Sequence, residues 1–189
     1  MKSQLTSFDI AALVRELQQC IGLRVEKVFL QGYDDLFIRL TDINVKKTIS
    51  IKLGQAMWLE EGFRKSESVE PPTFAMLLRK HISGRPITSI SQHGFDRVVV
   101  FELEGDIRLI AEMFGAGNII LVEARKIIQP LTSKSWKARE LKAGHVYKFP
   151  PDSQNPLGLS QEEFTDIIRN SQKDLVRCLA MEVNLGGAY

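Results

Sequence analysis

Residues 98–123 read VVVFELEGDIRLIAEMFGAGNIILVE and contain three apolar runs separated by Glu104-Gly105 and by Gly115-Ala116-Gly117. Apolar, β-branched runs of about 4–8 residues bounded by glycine predict strands. Breaks as short as these are typical of antiparallel hairpins. The stretch therefore predicts three consecutive antiparallel strands, near residues 96–103, 106–113 and 118–123.

The same pattern continues on both sides of this stretch. Further strands are expected near residues 86–92 and 126–131. Before them, Thr73 is placed to cap a short helix that ends before Gly84. Its apolar face comprises Phe74, Leu77, Leu78 and Ile82. This half of the chain predicts one helix followed by a five-stranded meander.

The N-terminal half repeats that order of elements. Thr6 and Asp9 have the spacing of a capping box, and the apolar residues that follow predict a helix over about 7–21. Strands are expected near residues 24–31, 35–41, 45–53 and 56–60, with short turn sequences between them. Because strands and helices do not alternate, the sequence predicts the α+β class: a two-sheet antiparallel β-sandwich with flanking helices.

A change of composition follows Phe149-Pro150-Pro151. We assign residues 1–150 to the sandwich domain, 151–159 to a linker and 160–189 to the incomplete start of a helical region. Ser160 and Glu163 form a second capping box, with Phe164, Ile167 and Ile168 along one helix face. A last helix would carry an apolar stripe of Leu175, Val176, Leu179 and Val183. We therefore expect the chain to be part of a longer protein.

Composition favours a soluble globular protein, with 44% hydrophobic and 25% charged residues among 189. The sequence has neither an apolar run of membrane-spanning length nor a signal-peptide pattern, so we expect a cytoplasmic protein without a membrane partner. Cys20 and Cys178 lie in apolar segments without metal-ligand spacing and are interpreted as reduced core residues. His81 and His93 have no second ligand at metal spacing either, so no metal site is expected.

The net charge of +2 is distributed unevenly. Residues 125–148 contain seven Lys or Arg against the single acidic residue Glu140, which gives this stretch +6 and the remainder −4. A basic surface of this kind fits a polyanion such as RNA, whereas a solvated loop is the plainer explanation. Both interpretations stay open at this point.

Five sequence strings resemble the NFACT family of ribosome quality-control factors, whose members are also described as fibronectin-binding proteins. The strings are 6–9 (TSFD), 72–81 (PTFAMLLRKH), 92–97 (QHGFDR), 114–121 (FGAGNIIL) and 184–189 (NLGGAY). The resemblance implies a fold similar to the N-terminal domain of formamidopyrimidine-DNA glycosylases. It also implies that this is the tRNA- and large-ribosomal-subunit-binding module of a factor that recruits aminoacyl-tRNA, chiefly alanyl-tRNA. Such a factor extends stalled chains without mRNA.

The same resemblance implies which partners the protein binds. The expected partners are tRNA and a large ribosomal subunit carrying peptidyl-tRNA, with no small-molecule substrate and no cofactor. Peptide transfer would belong to the ribosome, so we expect no catalytic residue. Glycosylase chemistry needs an N-terminal proline and a glutamate, whereas this chain begins Met1-Lys2-Ser3. A cell-surface adhesion module remains the competing class.

Three positions match those that the family associates with tRNA, namely Asp9, Asp96 and Arg97. Asp9 is also explained by helix capping alone. Asp96 and Arg97 precede a strand, where an acceptor and a donor could read a base edge and a phosphate together. Adjacent strand residues point to opposite faces, so both can meet one ligand only if a turn or bulge reorients one of them.

Further RNA contacts are expected from basic residues in two segments. One group lies around the second helix and the other in the basic stretch, where two rings could stack on bases. The residues are Arg79, Lys80, His81 and Arg85 in the first group, and Lys134, Lys137, Arg139, Trp136 and Tyr147 in the second. Gly115 and Gly117 are expected to provide positive φ angles in a hairpin.

Overall fold

The computed structural model describes residues 4–62, 72–136, 139–151 and 154–185. The helices are α1 (Ser7–Leu17), α2 (Thr73–Ile82), α3 (Gln161–Asn170) and α4 (Leu175–Met181). The strands of the first sheet are β1 (Arg24–Gln31), β2 (Asp35–Asp42), β3 (Val45–Lys52) and β4 (Ala56–Glu61). Those of the second are β5 (Ile87–Gln92), β6 (Val98–Leu103), β7 (Ile107–Glu112), β8 (Asn118–Glu123) and β9 (Lys126–Pro130). A small hairpin follows, formed by β10 (Lys134–Ser135) and β11 (Glu140–Leu141).

Both large sheets are antiparallel meanders in which consecutive strands are neighbours. The α+β class, the antiparallel sheets and the flanking helices are therefore confirmed. The sheets meet where Arg24 of β1 pairs with Pro86 ahead of β5. This edge connects the two halves of the chain.

The main core lies between the two sheets. It includes inner-face residues of both sheets together with residues of α1 and α2, such as Ile10, Leu36, Leu78 and Phe101, each at most 2% exposed. Fully burying a side chain of this size contributes about 1.5–3 kcal/mol. A second cluster covers the opposite face of the second sheet, where the chain after β9 lies across the sheet. The segment that carries the basic stretch is thus packed on a sheet.

Two glycines explain how closely the turns of the sheets approach. A Cβ on Gly54, between β3 and β4, would lie 2.4 Å from Gly115 O, and one on Gly117 would lie 2.4 Å from Gly54 N. Gly115 and Gly117 have φ angles of +60° and +72°, so the predicted positive φ is confirmed. Gly117 must also lack a side chain because its α-carbon lies against the backbone of Gly54. A Cβ on Gly115 would meet no atom within 4 Å, so this second reason does not apply there.

The helices differ from their predicted bounds in two places. The α-helix of α1 ends at Leu17 and continues as a 3₁₀ turn over Gln18–Cys20, and Ile21 is 42% exposed rather than buried. The prediction that Thr73 caps α2 is wrong. Thr73 is already the first helical residue, and Pro72 precedes the helix without a side-chain cap. Pro72 has the extended backbone of an N-cap residue, with φ −56° and ψ 151°, so the helix begins one residue earlier than a cap at Thr73 would place it.

The chain after the second sheet forms a 3₁₀ turn over Pro156–Gly158 and the two short helices α3 and α4. Ser160 and Glu163 form the expected capping box. The expected apolar stripe is only partly packed, because Cys178 and Val183 are buried whereas Leu175 and Val176 are 60% and 73% exposed.

Both cysteines are free and buried, as predicted. Among the described residues, no helix is long and apolar enough to span a membrane. The division at residues 151–159 stays a prediction.

Candidate nucleic-acid interface

One end of the molecule collects turns from both sheets and the start of α1. We call this the turn end. It comprises residues 4–9, 32–34, 53–55, 93–97 and 113–117. Hydrogen bonds join its parts: Leu5 N donates to Gln55 O, Leu53 N to Asp34 O and Met113 N to Arg97 O. Segments far apart in sequence therefore form one continuous surface.

The first turn of α1 supplies Asp9 to this end. Thr6 N donates to Asp9 Oδ2 at 2.6 Å, and Asp9 N donates to Thr6 Oγ1 at 3.3 Å, so the predicted capping box is present. A carboxylate here also opposes the positive end of the helix dipole. The capping geometry fixes the direction of the half-buried Asp9 side chain.

The turn between β5 and β6 supplies Asp96 and Arg97. Both residues lie in a bend before β6 and are half-buried, while Phe95 beside them is only 2% exposed. Since neither residue is part of the regular strand, the alternation that would send their side chains to opposite faces does not apply. Arg97 Nη1 donates to Gln4 Oε1 at 3.0 Å, on the segment that leads into α1.

The start of α1, which carries Asp9, lies directly against the β5–β6 turn, which carries Asp96 and Arg97. The Gln92 side-chain amide donates to Ser7 O at 3.0 Å and to Asp96 O at 2.9 Å. The rings of Phe8 and Phe95 also meet edge to face, with centroids 4.8 Å apart. Asp9 and the Asp96-Arg97 pair are thus on two segments that are directly bonded and packed.

The basic residues of α2 lie elsewhere. Arg79 Nε donates to Val28 O at 2.6 Å along the edge of β1, and its guanidinium lies over the Phe29 ring at 5.1 Å. Arg85 donates to His81 O and, at the β6–β7 turn opposite the turn end, to Glu104 O. The contact of these residues with RNA stays a prediction. Lys80 is exposed and His81 is half-buried on α2.

The basic stretch contains a buried ion pair. Arg139 donates from Nη1 and Nη2 to the two carboxylate oxygens of Glu112 at 2.7 and 2.9 Å, and Tyr147 Oη donates to the same carboxylate at 2.9 Å. The Arg139 and Glu112 side chains are 8% and 2% exposed. Arg139 is therefore not the exposed cation that an RNA contact requires, and Tyr147 is held by packing instead of lying open for stacking.

This network changes the titration of its members. Burial, and then the neighbouring Glu112 carboxylate, raise the pKa of Tyr147 well above its ordinary value. Burial by itself would lower the pKa of Arg139, but its hydrogen bonds to Glu112 and the attraction of that carboxylate raise it overall. Both effects keep Arg139 charged and Tyr147 neutral. The hydrogen bonds that attach residues 139–147 to Glu112 therefore persist at ordinary pH.

The remaining basic candidates have different surroundings. Lys134 is half-buried, with Nζ 3.4 Å from Gly117 O at the turn end. Lys137 lies outside the described residues. Trp136 is 44% exposed. Within the described part of the chain, no three His, Cys, Asp or Glu side chains come together as metal ligands.

Sequence reasoning missed Gln92 and Glu112, which position the candidates. Glu112 had a recognisable signal, since a lone carboxylate in the apolar run of β7 needs a buried partner. Gln92 opens the string 92–97, but its bonding role had no signal, because a glutamine at the end of a strand is ordinary until its tertiary partners are known.

Fold and surface together define a class of α+β domain in which two antiparallel meanders present their turns beside a capped helix. A model of the NFACT family, described as NFACT N-terminal and middle domains, matches residues 6–189. The chain belongs to this family.

Individual relatives agree with that assignment. The chain is 34% identical to the archaeal Rqc2 homolog aRqcH of Methanocaldococcus jannaschii, over all of this chain and 30% of the relative. It is 30% identical to the human ribosome quality control complex subunit NEMF, over 92% of this chain and 17% of that protein. The chain thus spans less than a third of these curated relatives.

A solved structure shares the fold. The N-terminal domain of the fibronectin-binding protein PavA from Streptococcus pneumoniae superposes with a TM-score of 0.80 at 24% identity, covering 92% of this chain and 72% of that one. At this identity the likeness shows the fold alone. The expected similarity to the glycosylase N-terminal domain stays a prediction.

Proposed function

We propose that this chain is the tRNA- and large-subunit-binding module of a ribosome quality-control factor. In this role it helps to recruit aminoacyl-tRNA, chiefly alanyl-tRNA, to a large subunit that carries peptidyl-tRNA, so that the stalled chain is extended without mRNA. Membership of the NFACT family and the names of the archaeal and human relatives support the proposal.

The observation that carries the proposal is the joining of Asp9 to Asp96 and Arg97 at the turn end. The two segments are more than eighty residues apart in sequence, yet Gln92 bonds to both. Carboxylate acceptors beside a guanidinium donor can contact a base edge and a phosphate of one RNA at once. A site built on a capped helix and a tightly bonded turn holds these groups in fixed directions.

The chemistry assigned to the protein is positioning. Holding the aminoacyl end of a tRNA near the peptidyl-tRNA lowers the entropic part of the barrier, and the ribosome supplies the peptide transfer. The function therefore requires neither a protein nucleophile nor a cofactor. Phosphate contacts fix the register of the RNA and make binding dependent on salt.

Co-sedimentation with large subunits tests the proposal. The natural protein that carries this chain should pellet with subunits bearing peptidyl-tRNA and should bring added tRNA with it. Asp96→Ala with Arg97→Ala should reduce the tRNA in the pellet while the protein still binds the subunit. The matched control is Glu102→Ala with Arg108→Ala, which removes a half-exposed pair of the same charges from the second sheet, 3.5 Å apart. Failure to pellet with subunits, combined with capture on immobilised fibronectin, would favour the adhesion class instead.

A further inference from the structure

The β10–β11 hairpin forms one side of an open pocket on the outer face of the second sheet. Its volume is about 380 Å³, and its lining includes Trp136, Arg139, His145 and Lys148. That volume is within the usual range for a small-molecule site. The pocket lies outside the Asp9, Asp96 and Arg97 group, although the carboxyl end of β7 connects them: Glu112 bonds Arg139, and Met113 N donates to Arg97 O.

Trp136 is the largest side chain of this pocket, and it is left 44% exposed. Its position is nevertheless defined. Trp136 N donates to Arg139 O at 2.9 Å, and the guanidinium carbon of Arg139 lies 4.7 Å from the centroid of the indole ring. Large aromatic side chains usually bury their area, so a fixed and half-open indole indicates a contact surface.

The Arg139 guanidinium is fixed in turn. Two hydrogen bonds to Glu112 and one from Nη1 to Lys148 O at 3.1 Å determine its plane. It also lies 5.9 Å from the centroid of the Phe114 ring at the turn end. The buried guanidinium supports the indole from one side, so the exposed part of the Trp136 ring already has a fixed orientation when a ligand binds.

The rim of the pocket is polar. Lys148 is exposed, and exposed His145 has Nδ1 3.2 Å from Glu140 Oε2. Exposed Lys142 precedes this histidine in the same basic stretch. A flat aromatic floor with cations at its margin matches a nucleobase and its attached phosphate, since stacking tolerates any base and the cations meet the backbone.

We propose that the exposed surface of the Trp136 indole, supported by buried Arg139, forms a stacking site for one unpaired nucleobase of a bound RNA, with Lys148 contacting the adjoining phosphate. The site rests on the proposed function in one respect, namely that the partner is RNA. It adds a contact that the Asp9, Asp96 and Arg97 group does not supply. Its place next to β7 allows the same RNA to reach both sites.

Tryptophan fluorescence gives a direct test. The chain has two tryptophans, so Trp58→Phe leaves Trp136 as the only reporter. Trp58 lies on β4 in the other sheet, where its indole bonds Glu60 Oε1 at 2.7 Å. Titration of this variant with single-stranded hexaadenylate should quench Trp136 in a saturable way. Titration with tripolyphosphate, which has the charge but no base, should leave the fluorescence unchanged.

Two substitutions complete the test. In a binding assay with labelled hexaadenylate, Trp136→Leu should weaken affinity at least about fivefold, which is the lower range for loss of one aromatic stack, whereas Trp136→Tyr should largely retain it. Equal quenching by tripolyphosphate, or absent quenching by hexaadenylate, would overturn the proposal. None of these results involves Asp96 or Arg97, so the subunit assay can succeed while this site fails.

Discussion

The ring of Phe8 meets the ring of Phe95 edge to face at the turn end, with centroids 4.8 Å apart. Each phenylalanine directly precedes a candidate residue, Asp9 in the first case and Asp96 in the second. Aromatic pairs in this arrangement contribute about 0.5–1.5 kcal/mol beyond the area that they bury. The packing that stabilises this end of the molecule therefore also sets the relative placement of the two acidic residues.

Gln92→Ala should loosen that placement. The substitution removes the donor to Ser7 O and Asp96 O, and two such hydrogen bonds are worth about 1–3 kcal/mol of unfolding free energy. The tRNA affinity should fall as well. Urea unfolding and filter binding measure the two effects. Gln129→Ala is the control, because its amide donates to Pro130 O, on the adjacent residue, at 3.2 Å. If both variants had the same unfolding free energy and the same tRNA affinity, Gln92 would not organise the site.

Gly117→Ala should destabilise the chain more than Gly115→Ala. Both glycines have positive φ angles, which cost an alanine about 1–2 kcal/mol. Only at Gly117 would the new Cβ also meet the backbone around Leu53 and Gly54, at 2.4–2.8 Å, which adds about 1–3 kcal/mol of overpacking. Thermal melts of the two variants measure the difference. Equal melting temperatures would contradict the close contact between the sheets.

Tyr147 should make the chain less stable at alkaline pH. Burial raises the pKa of Tyr147 in the folded state above the ordinary tyrosine value of about 10, so the stability it contributes is complete below that pH and is lost as the pH rises above it. Tyr147→Phe should lower the free energy of unfolding at neutral pH, since the hydrogen bond to Glu112 is lost. It should also make that free energy fall less steeply as the pH rises, because the phenol that ionises is gone. Urea unfolding between about pH 8 and pH 12 measures this slope. Tyr33→Phe, at a 93% exposed turn residue, is the control and should keep the original slope.

The strands could be predicted from sequence because their pairing is local. Each neighbour in the two meanders follows directly in the chain, and glycine turns such as Glu104-Gly105 mark the breaks. The capping boxes at Thr6 and Ser160 were equally readable, since both partners lie within one helical turn. Thr73 is not the cap because the N-cap position falls on Pro72, which a propensity argument for threonine does not reveal.

The details of the candidate site could not be predicted in the same way. The burial of Arg139 depends on how the chain after β9 crosses the second sheet, and the partner Glu112 is 27 residues away. Charge counting alone treats Arg139 and Lys148 as equivalent, although the first is buried and the second exposed. The proximity of Asp9 to the β5–β6 turn depends likewise on Gln92, whose role becomes visible only in the folded structure.

The most direct test of the account compares tail formation with stability for Asp96→Ala combined with Arg97→Ala. Both side chains are half-buried in a bend outside the regular strand, and loss of the Arg97 bond to Gln4 should cost about 0.5–1.5 kcal/mol, so the melting temperature should fall by only a few degrees. Asp9→Ala is the contrast, because loss of its capping bonds should cost about 0.5–2 kcal/mol. In the natural protein that carries this chain, the double variant should bind stalled large subunits yet form tails at a sharply reduced rate. Normal tail formation, or a double variant that unfolds many degrees earlier, would contradict the assignment of Asp96 and Arg97 to tRNA.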